Sequence, residues 1–325
     1  MKKTAIVAAL LVVPLVMGFA SGGGQKAGDS AKKAERLRLA TGGNTGTYYA
    51  YGSAFGQIVQ NKTGIPVIIQ STGASKANIQ LIQAGEVEIA LVQNDVMDYA
   101  YKGIDLFNGQ KITDFQAVAA LYAEACQVIA DPSKGIKTIA DLKGKNVSVG
   151  DAGSGVEFNA NQILAGYGIG PNDFNRQNLS FGASADALRD GKIDAFFCVA
   201  GAPTTAVMDL AINKTVTLLE IDDAHADAII KQYPFYTKLA VPGNSYRGNP
   251  NDVQTLTIKA TLIASPKVDA DTIYTLTKTL FDNKAEITAA HIKGAELESG
   301  YAVSGISVPF HPGAEKYFKE IGALK

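Results

Sequence analysis

The sequence predicts an α/β protein built as two similar halves. Three observations carry that reading. Short apolar strands alternate with helical segments along most of the chain. The stretch Glu88 to Gln93 is apolar almost throughout, as a strand covered on both faces should be. A unit of strand, Gly- and Ser-rich turn and helix opens near Leu37 and recurs near Val147.

In the first unit, Leu37 to Ala40 forms a strand that runs into Gly42-Gly43-Asn44-Thr45-Gly46-Thr47-Tyr48-Tyr49. Tyr49, Ser53, Phe55, Ile58 and Val59 then recur at helical spacing. Such a turn aims free backbone N–H groups at an anion, and Asn44, Thr45 and Thr47 are residue types that cap a helix. The turn lacks the Lys of a nucleotide P-loop and the glycine spacing of a dinucleotide fingerprint. It reads as a cradle for the acidic end of a small molecule; a plain tight turn is the alternative.

The first half continues with a strand at Val67 to Gln70, the polar turn Ser71-Thr72-Gly73-Ala74-Ser75, and a helix with Ile79, Leu81 and Ile82 on its apolar face. The strand from Glu88 ends in Gln93-Asn94-Asp95. In an open α/β sheet a site lies outside the carboxyl ends of the strands, which is where these polar tips fall. A second set begins near Tyr122. It has strands at Gln127 to Ala130 and Val147 to Val149, the turn Gly150 to Gly155, and a helix carrying Phe158, Ile163 and Leu164. Strands follow at Asn178 to Phe181, Ala195 to Val199 and Val216 to Ile221, with helices at Ala183 to Arg189 and Ala202 to Ala211, the latter with Pro203 in its first turn. After the Gly/Pro/Asn-rich passage Pro242 to Asp252 come a strand at Thr255 to Ala264, a helix at Ile273 to Phe281 and a last helix from Glu315. Two such halves suggest a site in the cleft between them.

The chain has 325 residues and a formal charge of −1, with no basic patch, so nucleic acid is not an expected partner. Met1 to Ala20 has the Lys pair, short apolar core and Gly18-Phe19-Ala20 end of an export signal, with cleavage after Ala20; residues 21–35 read as a disordered leader. The rest suffices for two domains. Cys126 and Cys198 sit in apolar runs and read as buried free thiols rather than a disulfide. His225, His291 and His311 lack metal-site spacing, and no Gly-x-Ser-x-Gly elbow occurs. No catalytic residue, metal or cofactor is expected. Glu124 and Glu157 are the acids nearest predicted strand tips, and each reads as a solvated or hydrogen-bonded carboxylate or as a partner for an ammonium group.

Read together, G-G-N-T-G-T-Y-Y, S-T-G-A-S-K-A-N-I-Q-L-I-Q-A-G-E, A-L-V-Q-N-D-V, L-Y-A-E, I-A-D-L-K-G-K-N-V-S-V-G, G-S-G-V-E, D-G-K-I-D-A-F-F and H-P-G-A run in order from Leu37 to the C-terminus. In combination they resemble the TAXI subfamily of TRAP-transporter solute receptors. Asn44-Thr45 stands where that family usually has Thr-Gly, and L-Y-A-E replaces a more usual L-Y-P-E. The resemblance implies a two-domain periplasmic binding protein of type II fold, a monomer that closes on a small organic acid or amino acid related to glutamate. It implies as membrane partners the small and large subunits of a permease, fused, driven by a sodium gradient. The domains expected are 36–122 with 242–325, and 123–241 between them. The ligand-binding set expected is Asn44, Thr45, Thr47, Tyr48, Ser71, Thr72, Gly73, Gln93, Asn94, Tyr122, Gly153, Ser154, Gly155, Val156, Gly201, Ala202 and Pro203, with no arginine among them.

Overall fold

The computed structural model describes residues 36–325; the expected export signal and leader lie outside the described residues. Two parallel trios of strands dominate. In the first, β1 (Leu37–Ala40) lies between β2 (Val67–Gln70) and β3 (Ile89–Gln93). In the second, β5 (Asn146–Ser148) lies between β6 (Asn175–Gln177) and β7 (Ala195–Ala200). Two long strands join the trios: β4 (Gln116–Ala130) and β10 (Val253–Ala264), antiparallel to each other. β10 also pairs antiparallel with β3, and β4 with β7, giving the order β2-β1-β3-β10-β4-β7-β5-β6. The short β8 (Thr217–Leu218) adds to β4 and β9 (Thr237–Val241) to β10.

Helices follow the carboxyl ends of the parallel strands. α1 (Thr47–Thr63) follows β1, α2 (Ser75–Gln83) follows β2, and α3 (Asn94–Lys102) follows β3. α4 (Gly155–Gly166), α5 (Phe181–Arg189) and α6 (Thr205–Asn213) do the same after β5, β6 and β7. α7 (Asp223–Gln232) packs on the second trio's side, while α8 (Ala270–Asp282), α9 (Lys284–Ala290), α10 (Ser299–Val303) and α11 (Pro312–Glu320) close the chain. The strand read as covered on both faces buries continuously: Ile89 through Gln93 are buried without exception, because helices cover both faces. Leu39, Phe55, Val59, Leu121, Leu276 and Phe318 share one core beside the first trio, and Val128, Val147, Ile163, Phe197, Leu256 and Ile258 share another beside the second. β10 contributes to both cores, changing over between Ile258 and Ala260.

Several sequence expectations need correction. Asn178 to Phe181 is no strand: β6 ends at Gln177, and Ser180 caps α5 by accepting from the Ala183 N–H at 3.3 Å. Pro203 is not in a helix's first turn; it follows a cis peptide bond from Ala202, and α6 starts at Thr205 after Thr204. Val216 to Ile221 pairs only at Thr217–Leu218. The strand read at Gln127 to Ala130 starts earlier, because β4 is continuous from Gln116. β10 on one side and β7 on the other hold it extended, a tertiary effect that local pattern does not carry.

The thiols behave as the sequence suggests. Cys126 lies opposite Val199 and Cys198 opposite Gln127 in the β4–β7 ladder. That one-residue offset places the two side chains on opposite faces of the sheet, and each sits free in a separate core. Burial pushes the Cys198 thiol up to about 12.

Candidate functional site

The carboxyl ends of both trios meet at one cavity of about 50 Å³. Gly42, Gly43 and Gly46 line it after β1, Ala74 and Ser75 after β2, and Gln93 at the end of β3. From the other trio come Asp151, Ser154, Gly155 and Val156 after β5, Ser180 and Phe181 after β6, and Val199 and Ala200 of β7. Thr47, Tyr48 and Glu124 complete the wall.

Helix starts dominate this wall. α1, α2, α4 and α5 all present their N-termini to it, and the first N–H groups of each have no acceptor among the described residues. These are the N–H groups of Thr47, Tyr48, Ser75, Gly155, Val156 and Phe181. Each helix start carries a partial positive charge, so the cavity is positive without a cation. None of its lining residues is Lys or Arg. Of the five arginines, Arg36 is exposed just before β1 and four are occupied elsewhere: Arg38 pairs with Glu88 at 2.5 Å, Arg176 with Glu157 at 2.9 Å and Arg189 with Asp186 at 2.5 Å, while Arg247 donates to the Ile212 carbonyl.

Polar side chains set the remaining character. Gln93 is 2% exposed, and its Oε1 lacks a hydrogen-bond partner among the described residues. That atom points at the start of α4: a Cβ added at Gly155 would stand 1.7 Å from it. Glu124 is equally buried and accepts from the Tyr48 hydroxyl at 2.9 Å. Burial raises its carboxyl to about 8, against the lowering effect of the Tyr48 hydrogen bond. Burial raises Asp151, at the exposed rim, in the same direction. Ala74 holds φ 64 and ψ −148, a region normally left to glycine. The turn holds it there: the Ala74 N–H donates to Thr72 Oγ1, and its carbonyl accepts from Asn78.

Behind the cavity a buried polar chain ties α3 to α4. Asn159 donates to Asp95 at 2.9 Å and to the Tyr236 hydroxyl at 2.7 Å, and that hydroxyl donates to Gln162 at 2.6 Å. Burial raises Asp95 to about 6.

Of the residues read from the sequence, Thr47, Tyr48, Gln93, Ser154, Gly155 and Val156 lie on this wall. The others do not. Asn44 is exposed, and neither it nor Thr45 caps α1, whose cap is Gly46 with no side-chain bond. The Thr45 carbonyl instead accepts from Ala206. Ser71 and Thr72 donate to the carbonyls of Gly42 and Thr41, tying two turns together. Gly73 and Gly153 lie within turns beside the wall, and the Gly153 N–H is held by Glu157. Asn94 Oδ1 accepts from the Lys259 N–H at 2.9 Å, continuing the β3–β10 ladder one step past the end of β3. Tyr122 is buried against Tyr51. Gly201 accepts from the Thr47 hydroxyl at 2.9 Å, while Ala202 and Pro203 line a separate hollow with Lys293 and Glu296.

Sequence reading missed Ser180 and Phe181, because it placed a strand there; the Ser180 cap was the available signal. It noticed Glu124 only as an acid near a strand tip.

Comparison with known proteins agrees with this architecture. Residues 39–322 match the NMT1-like family, and the chain belongs to that family. MatC from Rhodopseudomonas palustris, solved with bound malate, superposes with a TM-score of 0.56 at 16% identity, over 80% of this chain and 88% of that one. PhnD1 from Prochlorococcus marinus, in complex with methylphosphonate, gives 0.55 at 7% identity, over 90% and 100%. The alkanesulfonate-binding protein SsuA from Xanthomonas axonopodis pv. citri, bound to MOPS, gives 0.50 at 14%, over 89% and 85%. The fold is the α/β fold of two-domain periplasmic binding proteins.

Proposed function

We propose that this member of the NMT1-like family is an exported, monomeric solute receptor without catalytic activity. It captures a small carboxylate or amino acid of the glutamate type and delivers it to a TRAP-type secondary transporter, whose small and large permease subunits are fused. The observation that carries this reading is the convergence of unpaired helix N-termini from both strand trios on one cavity free of Lys and Arg. Such a wall suits a carboxylate: several backbone donors and aligned dipoles replace its water without an ion pair. The malate, methylphosphonate and MOPS complexes of the similarly folded proteins support an anionic end on the ligand.

Two lobes follow, one from 36–122 and 242–325 and the other from 123–241. The stretch after Pro242 runs back along the second lobe, where Tyr246, Leu256 and Ile258 pack, before β10 enters the first. The receptor acts in the periplasm after cleavage behind Ala20; among the described residues no helix is long and apolar enough to cross a membrane.

The test is mass spectrometry of small molecules released when the purified protein is denatured, followed by a thermal-shift screen of amino acids and short carboxylates. A ligand at about 100 times its dissociation constant adds roughly 2.7 kcal/mol of stability. The same ligand should be recovered unaltered after prolonged incubation. A panel with no stabilising member, or turnover of the stabilising one, refutes the reading.

A further inference from the structure

Glu124 is unlike the rest of the cavity wall. The helix starts of the wall favour negative charge, and its other carboxyl group, Asp151, sits at the exposed rim, yet Glu124 is buried in it. Its Oε2 accepts from Tyr48, and among the described residues no hydrogen bond is made to its Oε1. Every neighbouring element fails to supply a free cation. α1 offers the hydroxyl of Tyr48, β4 offers Tyr122 and Cys126, β7 offers Cys198, and α10 offers Tyr301. α3 offers Asp95, which is acidic. Lys293, in the turn Ile292–Glu296, does act on Glu124, but it is committed to Glu296 at 2.5 Å. A carboxylate so placed needs a positive partner brought in from outside.

We propose that Glu124 is the group that recognises the ligand's ammonium, and that it gives up its proton to solvent when the ammonium arrives. The inference rests on the receptor reading above and adds the orientation of the ligand within it. The ligand's carboxylate lies on the helix starts, and its amine lies on Glu124 beside Tyr48. The exchange balances: a neutral carboxylic acid and a free ammonium ion become a carboxylate–ammonium pair plus one proton in water. An amine-free acid of the same length gains nothing from Glu124, so this residue selects amino acids against dicarboxylates. Burial, which raises the Glu124 carboxyl to about 8, supports this: most of the group holds its proton at pH 7.

The experiment is calorimetric titration with L-glutamate, L-glutamine and glutarate, in buffers of different ionisation heat at pH 7 and pH 9. For the amino acid that binds, the expected result is release of most of a proton at pH 7, with the release clearly smaller at pH 9. Glutarate should release none. Glu124→Gln should abolish the release and weaken the amino acid about tenfold or more, while changing glutarate little. Its melting temperature at pH 8 should equal or exceed that of the parent, showing that it folds. Tyr48→Phe should keep the proton release. Amino-acid binding without proton release, or unchanged in Glu124→Gln, overturns the proposal and leaves the receptor reading standing. So does binding of glutarate alone. If none of these, nor any other acid in the screen, binds, both readings fall.

Discussion

Gly155→Ala tests the geometry of the cavity directly. The new Cβ would stand 1.7 Å from Gln93 Oε1, 2.7 Å from its Cδ and 3.0 Å from Val96 Cγ2. Real carbon atoms do not approach so closely, so the Gln93 side chain must move. It has little room: it is 2% exposed, and Ser75 Oγ holds its backbone N–H at 3.1 Å. Overpacking of this kind costs about 1–3 kcal/mol. The backbone at Gly155 is helical, so alanine also brings a propensity gain of up to about 1 kcal/mol. The net loss should be about 1–2 kcal/mol, or roughly 2–6 °C in Tm for a chain of this size. Truncating Gln93 removes both of the closest contacts. In a Gln93→Ala background, Gly155→Ala should therefore cost close to nothing, a coupling of about 1 kcal/mol or more. Urea unfolding of the four proteins measures this cycle. Equal stability of Gly155→Ala and parent, or an unchanged cost in the Gln93→Ala background, refutes the reasoning.

Three other outcomes follow from the same contacts. Glu124 and Asp95 hold their protons more tightly folded than unfolded, so their contribution to stability is full at low pH and is lost as pH rises from about 4 to 6 for Asp95 and to 8 for Glu124. Each group's slope is at most about 1.4 kcal/mol per pH unit; His291 and His311, which burial holds below their usual pKa, act in the opposite sense up to about pH 6.5, so the clean window is pH 7 to pH 8, where Tm of the unliganded protein should fall and Glu124→Gln should flatten the fall, whereas a rising Tm there contradicts it. Thr47→Ala deletes the hydrogen bond to the Gly201 carbonyl and should cost about 1 kcal/mol in urea unfolding; a neutral effect would mean the bond is not formed in solution. Thiol titration should find Cys126 and Cys198 unreactive in the native protein and both reactive in denaturant without reductant, and a mass two hydrogens short would show a disulfide.

The parts of the fold legible in the sequence are those set by local chemistry. Strands β1, β2 and β3 and the turns after them declare themselves through apolar runs that end in Gly, Ser and Asn. Ser154 caps α4 by accepting from Glu157 at 3.1 Å, and its position is readable from residue type alone. What was not legible depends on partners distant in the chain. β4 was read as starting at Gln127, yet it runs from Gln116 because β10 accompanies it. Asn44, Thr45, Ser71 and Thr72 have the right chemistry for a ligand, but a hydroxyl or amide near a tip can equally hold a neighbouring turn, and Ser71 and Thr72 do so. Glu124 carries no local signal: only the convergence of α1, β4 and both strand trios buries it.

That topology also explains why the site has no arginine. Two parallel trios direct their carboxyl ends at each other, so the connections into α1, α2, α4 and α5 deliver their N-termini to the same volume. A carboxylate there is surrounded by backbone donors from several helices before any side chain is chosen. An added arginine would have to be desolvated beside those helix starts, where the dipoles oppose it. A buried acid faces the opposite balance. The dipoles favour its charge, while desolvation and nearby Asp95 resist it, and the resistance prevails. Glu124 is thus close enough to ionising that one incoming positive group can tip it, which a fully exposed carboxylate or one already paired with lysine could not do.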